Sequence, residues 1–267
     1  MAKLYLRKAI VNIGSLSGFS GKTIDQLRVQ FEVEKTNESN PNTANIKIFN
    51  LSEATRSSLE APDTKVSLEV GYEEISKVVF NGDVTKAVHD REGDVDIVTT
   101  LECGDGDNSF RNSRVSRGFP PGVSTTQIVE ELIKSTGLAR GPVLGVPPTT
   151  YPYGFSMFGM SRKYLDDICE KNDLEWSIQN EKIQILPKFL GRPGGPIVVS
   201  VDTGLVGKPN KTDKGVEFKM LINPEVEPGR YVELQSNFVS GTFKVRRVKM
   251  NGDNQGGDFL SEVEATL

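Results

Sequence analysis

The stretch Leu27-Arg28-Val29-Gln30-Phe31-Glu32-Val33 decides the fold class. Apolar residues occupy every second position and polar ones the places between, the period of a strand with one face buried and one in water. A helix would space the same apolar groups three and four residues apart. After the turn-forming run TNESNPNTAN (36–45), Ile46 and Ile48 resume the alternation up to Phe49. Upstream, Leu4–Ile13 alternates imperfectly and ends at a Gly/Ser loop. Downstream, Ser52 offers an N-cap and Glu53 a first-turn acid for a short helix that stops before Pro62. Three more strands are predicted over Lys65–Tyr72, Lys77–His89 and Asp94–Cys103, the last with Val95, Ile97, Thr99 and Leu101 facing one way.

The pattern changes after Cys103. Residues 104–122 hold four Gly and two Pro without any period, and read as a domain linker or extended loop. A helix then opens at Ser124, with Gln127 placed to complete a capping box, Ile128, Val129, Leu132 and Ile133 on one stripe, and Gly137 to end it. A second helix starts at Ser161 and turns Tyr164, Leu165, Ile168 and Cys169 inward. A hairpin of Glu175–Gln179 and Lys182–Leu186, joined at Asn180-Glu181, completes a small α/β unit over 123–187. Beyond the GRPGGP linker (191–196), strands are expected at Ile197–Val201, Gly215–Leu221, Tyr231–Gln235, Thr242–Met250 and Asp258–Thr266, with a bulge at Arg246-Arg247. The fold class is mainly β with a small α/β insertion. A β domain at 1–112 and another at 191–267, barrels or sandwiches by their strand spacing, flank a linker and two-helix unit at 113–190.

Composition narrows the function. At 267 residues, 36% hydrophobic and 25% charged, the chain is globular and long enough to bury a core without disulfides or metals. No run approaches the roughly 18 apolar residues of a membrane helix. The opening MAKLYLRKAIVNIG lacks the apolar core and cleavage site of a signal peptide, so the expected destination is the cytoplasm or something assembled there. A net charge of −4 argues against a dedicated nucleic-acid-binding surface. Cys103 and Cys169, in no CxxC spacing, read as reduced, packed thiols, and the single His89 cannot supply a multi-histidine metal site.

Catalytic motifs fail one by one. Gly18-Phe19-Ser20-Gly21-Lys22-Thr23 is no phosphate loop, because Leu16 stands where a Gly is needed and Ile24 onward alternates as a strand. Glu102–Asn108 lacks the ligand spacing of a calcium loop and reads as a solvated turn. His89, ahead of Asp90-Arg91-Glu92-Gly93, reads as a surface turn histidine and not a general base. Asp166 and Asp167 sit on adjacent helix faces, and Trp176 reads as core. The residues point to a binding or structural protein, not an enzyme.

Two groups are candidates for a partner interface. Arg111, Arg114 and Arg117 form a basic cluster, either a docking strip for an acidic partner surface or a solvated linker. Tyr151-Pro152-Tyr153-Gly154-Phe155, followed by Met157 and Phe158, sets large apolar groups in a Gly/Pro loop that must pack on this chain's core or on another subunit. With that segment as a sugar platform, a carbohydrate-binding β protein is the alternative of another class.

An ordered string of segments carries a resemblance. It runs from ANIKIFNLS (44–52) through VSLEVGY (66–72), VFNGDV (79–84), LECGDG (101–106) and GVSTTQI (122–128) to Tyr164–Asn172 and the hairpin ending IQILP (183–187). The last third contributes Asn223-Pro224 and Pro228-Gly229-Arg230-Tyr231-Val232. In this order the chain resembles the baseplate hub (tail hub) proteins of contractile-tailed bacteriophages, the group related to late-control protein D and to the first part of type VI secretion spike proteins. The resemblance implies two tube-like β-barrels per subunit and a homotrimer whose six barrels continue the hexameric tail tube above and meet a three-fold spike below. It implies a central channel that DNA crosses only in transit. Tail tube, spike, tape measure and other baseplate proteins are the implied partners, in the virion tail after assembly in the host cytoplasm. No membrane insertion, catalytic residue, metal or cofactor is implied. A distal tail or tube-initiator ring is the neighbouring alternative. Some relatives carry a fused enzymatic domain; here Leu267 ends the sequence, so wall-degrading activity is expected of another protein.

Overall fold

One sheet crosses almost the whole sequence in the computed structural model, which describes residues 6–15, 18–59, 61, 63–93 and 95–267, with the side chains of 15 and 18–20 excepted. Among these residues its path runs Leu205–Thr212, Gly215–Leu221, Phe259–Thr266, Gly241–Asp253, Val29–Thr36, Thr43–Phe49, Asp96–Gly104, Ser76–Glu92, Thr64–Tyr72, Arg7–Ser15 and Gly18–Ile24. Neighbours on this path are antiparallel. Off it, Ile197–Val199 pairs in parallel with Tyr231–Leu234, which pairs with Gly241–Asp253.

The joint between the first and last parts of the chain is the ladder of Val29–Thr36 on Gly241–Asp253, where Met250 stands opposite Val33 and Gly252 opposite Phe31. Strict alternation in Val29–Val33 makes this possible. Val29, Phe31 and Val33 turn inward and are buried, while Gln30, Glu32 and Glu34 face out. A one-residue slip would exchange the two sets, so the register is strongly specified. The buried side chains of both parts form one apolar cluster, with Val33, Ile46, Leu68, Phe80 and Leu101 alongside Phe218, Val232, Val248 and Phe259. The 17-residue strand Ser76–Glu92 serves two neighbours, pairing Thr64–Tyr72 with its first half and Asp96–Gly104 with its second, and Asp83 marks the change.

Four α-helices occur among the described residues: α1 (Glu53–Leu59), α2 (Asp107–Asn112), α3 (Thr125–Thr136) and α4 (Ser161–Lys171). The predicted capping box of α3 is present, with Ser124 accepting from the Gln127 amide and Gln127 accepting from Ser124 N, and Gly137 ends the helix in the left-handed region. Helices α3 and α4 bury their stripes in a second, separate apolar cluster with Val115, Val123, Met157, Leu174, Trp176, Ile178, Ile183 and Ile185. The hairpin Leu174–Ile178/Lys182–Pro187, with Ala139–Val143 alongside, and the ribbon Arg114–Phe119/Phe155–Met160 complete this unit.

Several expectations are corrected. The strand carrying the alternation begins at Val29, and Gly18–Ile24 is already a strand, antiparallel to Arg7–Ser15. Leu4, Leu16 and Pro62 lie outside the described residues. His89 sits within the strand, opposite Thr99, with Nδ1 3.0 Å from Thr99 Oγ1; the hairpin turn lies beyond Glu92. Val95 lies outside the strand, in that turn, and is 87% exposed, whereas Thr99 and Leu101 are buried. Residues 104–122 are not a structureless linker: they contain α2 and the strand Arg114–Phe119. Leu205–Thr212 is a strand that the alternation does not announce, because Gly207 and Pro209 interrupt it. The bulge expected at Arg246-Arg247 is present, with the register shifting between Val245 and Arg247.

Both cysteines are free and buried, and burial pushes each thiol up to about 12. A thiol-specific reagent at neutral pH is therefore expected to leave the native chain unlabelled and to label both sites once it is unfolded. Fast labelling of the folded protein would contradict this packing.

Where the first and last parts meet, Arg28 pairs with Asp253 at 2.7 Å and Gln30 donates to the same carboxylate at 3.0 Å. Burial opposes ionisation of Asp253, but hydrogen bonds from Arg28, the Gln255 amide and Gln30 outweigh it and hold the carboxyl at about 2. A depressed folded value adds stability that is complete above the unfolded value near ~4 and is lost as the pH falls. The stability gap between wild type and Asp253→Asn, read from urea midpoints, is expected to be constant above that value and to close towards pH 2. A gap unchanged at low pH would refute the pairing.

Candidate interaction surface

Part of each sequence-derived candidate group meets in one two-stranded ribbon. The strands Arg114–Phe119 and Phe155–Met160 pair antiparallel, with Arg117 opposite Met157, Ser116 opposite Phe158 and Arg114 opposite Met160. Directly opposed residues share a face. One face turns Val115 and Met157 into the core of the small unit, and the other shows Arg114 and Phe158 to solvent, Phe158 at 85% exposure. Arg117 lies exposed with its guanidinium 5.9 Å from the Phe119 ring. Arg111 stands on α2, exposed and paired with Asp107 at 2.7 Å.

The aromatic run divides its labour. Tyr151 and Phe155 pack with ring centroids 4.9 Å apart, Phe155 meets Tyr164 edge-on, and all three lie against the small unit's core. The Tyr164 hydroxyl accepts from the Phe158 amide at 2.9 Å and so pins the ribbon to α4. Tyr153 is 95% exposed. Aromatic and arginine side chains left bare on a rigid two-stranded element match the composition of protein interfaces.

A polar seam sets the ribbon's position against the large sheet. Asp105, expected in a solvated turn, is fully buried. Its carboxylate accepts from the amides of Asn180 (2.7 Å) and Glu181 (2.6 Å) and from Asn42 Nδ2 (3.2 Å). Burial pushes this carboxyl up, and the Glu181 amide, the Lys35 charge, the Asn180 amide and Asn42 pull against that. Asn180 and Glu181 both have positive φ, 53° and 61°, which aims their two N–H groups at the same acceptor. Lys35 is 1% exposed and donates to Val79 O (3.0 Å) and Asn180 Oδ1 (3.3 Å), with Glu227 at 3.6 Å. Lys65 joins Asp83 to Glu181. Lys244, also buried, holds Glu175 at 2.7 Å and the carbonyls of Pro187 and Lys188 at 3.0 Å each. Gly229 brings the backbone of the large sheet's region close to the hairpin. Its φ is +86°, and a Cβ there would stand 2.7 Å from Leu186 Cδ1. The two apolar cores thus remain separate, and largely polar contacts orient one on the other.

Across the joined sheet the outward face is a ladder of paired charges. Lys219 meets Glu262 at 2.6 Å, Lys249 meets Glu32 at 3.0 Å, Arg247 lies between Glu264 (2.5 Å) and Glu34 (2.8 Å), and Lys86 meets Glu102 at 3.2 Å. Such exposed pairs add only ~0–1 kcal/mol each, but they cover these cations with carboxylates. Among the described residues no group of three or more His, Cys, Asp or Glu is placed to hold a metal ion, and no helix is long and apolar enough to cross a membrane.

Known structures share this architecture. The 43 kDa tail protein of prophage MuSo2 from Shewanella oneidensis superposes with a TM-score of 0.66 at 9% identity, over 97% of this chain and 98% of that one. A tail protein from Neisseria meningitidis MC58 gives 0.62 at 11% identity, over 98% and 97%. Escherichia coli c3393, a type VI secretion component described as structurally similar to T4 tail proteins gp27 and gp5, gives 0.63 at 10% identity, over 90% and 74%. At such identities the likeness concerns the fold alone. No curated protein matches by sequence. The sequence model of the family described as "Baseplate hub gp41", however, matches residues 8–265. Spanning the joined sheet, the polar seam and the ribbon alike, that match makes the chain a member of the baseplate hub gp41 family.

Proposed function

We propose that this protein forms a trimeric hub that adapts the hexameric tail tube to a three-fold spike around a central channel. The family is one of structural, non-enzymatic tail proteins, which makes the chain a component of the phage tail baseplate. What supports the finer assignment is the make-up of the chain: two β regions, 7–104 and 197–266, joined edge to edge through Val29–Thr36 and Gly241–Asp253. Three copies supply six such regions, the number a six-fold tube requires. Tube-like barrels at 1–112 and 191–267 and an intervening unit at 113–190 are the corresponding domains.

The charge ladder suits the wall of the channel. A duplex moving past is retained by unpaired cations that displace its counterions, and Lys219, Lys249, Arg247 and Lys86 are each occupied by a carboxylate. Tube protein above, spike below, and tape measure and other baseplate proteins around it are the partners of this role, met in the host cytoplasm during assembly. Arg114, Arg117, Tyr151, Tyr153 and Phe155 belong to the partner-facing unit, Tyr151 and Phe155 as its support, and Arg111 stands just before it on α2.

Light scattering with negative-stain imaging tests the proposal. The expected species has three times the chain mass of 29.3 kDa and six lobes around an open centre. True six-fold rings would instead favour a distal tail or tube-initiator ring, and a stable dimer would overturn the hub role.

A further inference from the structure

We infer that the ring closes head to tail, the hairpin end that carries Asp90, Glu92 and Asp96 in one copy docking on the Arg114/Phe158 face of the next; this rests on the trimeric hub proposed above. A heterologous ring needs two different, complementary patches on each subunit. The ribbon supplies one: Arg114 and Phe158 share its bare face, while Arg117 lies on the opposite face of the ribbon, on a chain whose net charge is −4. Among the described residues neither Arg114 nor Arg117 makes an ion pair.

The tip supplies the other. Glu92 stands opposite Asp96, and Asp90 is two residues before Glu92, so these three carboxylates share one face of the hairpin while Arg91 takes the other. Asp90 and Glu92 are exposed, and Val95, in the turn before Asp96, is 87% exposed. Exposed carboxylates near an exposed aliphatic residue are the counterpart of an exposed arginine beside a bare aromatic.

The two patches are kept apart within a chain. The strand Asp96–Gly104 starts at the tip and ends beside Asp105, where the small unit is clamped. Nine residues of strand span about 30 Å. The acidic tip and the basic ribbon therefore lie towards opposite ends of this strand, and the partner of each is another copy.

Paired cysteines test the contact in the assembled particle. Tails carrying Val95→Cys together with Phe158→Cys are treated with a mild oxidant and run without reductant. Covalent dimers and closed trimers are expected, absent from wild type because Cys103 and Cys169 are buried. Well-assembled tails that yield only monomer overturn the docking and leave the three-fold hub standing. A hub present in other than three copies overturns the hub proposal itself. A charge exchange on the isolated protein gives a second readout. Arg114→Glu alone, or Asp90→Arg with Glu92→Arg, is expected to raise the trimer dissociation constant about tenfold or more, the effect of losing one good charge contact. The triple variant is expected to recover most of the loss. Equal dissociation constants for all four proteins would exclude the contact.

Discussion

Replacing Asp105 with Ala is expected to lower the unfolding free energy by about 3–5 kcal/mol, the range for breaking a buried charged cluster from one side. The side chain is fully buried and accepts from two backbone amides and Asn42. Each stranded donor costs about 1–3 kcal/mol, and relief from holding a buried carboxylate offsets part of the sum. The turn adds to the loss, since Asn180 and Glu181 hold positive φ without the freedom of glycine. Because the small unit keeps its own apolar core, damage is expected at the seam first. Hydrogen exchange should accelerate at 174–187 before it does in Val29–Thr36 or Gly241–Asp253. A loss below about 1 kcal/mol, or uniform acceleration across both cores, would contradict the clamp.

Lys244→Met is expected to cost about 2–3 kcal/mol at neutral pH and to make stability depend on pH. The ammonium fills a buried site, and its loss takes a donor from Glu175 and from the Pro187 and Lys188 carbonyls, of which Pro187 O keeps the Leu190 amide at 3.2 Å. Burial already holds the Glu175 carboxyl above its usual value, against the pull of Lys244. Without the lysine it rises further. A carboxyl whose folded value exceeds its unfolded one binds a proton in the native state first, so the variant recovers stability as the pH falls from neutral towards the ordinary carboxylate range. Urea midpoints for both proteins across that range check the sign. A deficit that grows with acidity would contradict the assignment.

The strand pattern made much of this fold legible. Val29–Val33, the capping box at Ser124, the buried Trp176 and the bulge before Arg247 all follow from period, capping chemistry and side-chain size. The seam did not follow, for a physical reason. Asp105 lies among glycines, and the residues that bury it come from a hairpin 75 positions away. Lys35 did leave a signal. It continues the inward positions of Val29, Phe31 and Val33, and a lysine at an inward position announces a buried partner. The strand Arg114–Phe119 was hidden by the turn formers around it, and only its pairing with Phe155–Met160 shows that the arginines and aromatics belong together. That Phe158 is bare while Met157 is buried follows from strand alternation, which a Gly/Pro loop would not impose.

Imaging of purified tails at a resolution that separates subunits tests the central claim most directly. Three copies of this chain around the axis, each placing two β regions in a ring of six directly below the tail tube, with the ladder of Lys219, Glu262 and Lys249 facing the channel, is the predicted result. Six copies in that ring, or copies at the periphery away from the axis, would contradict it.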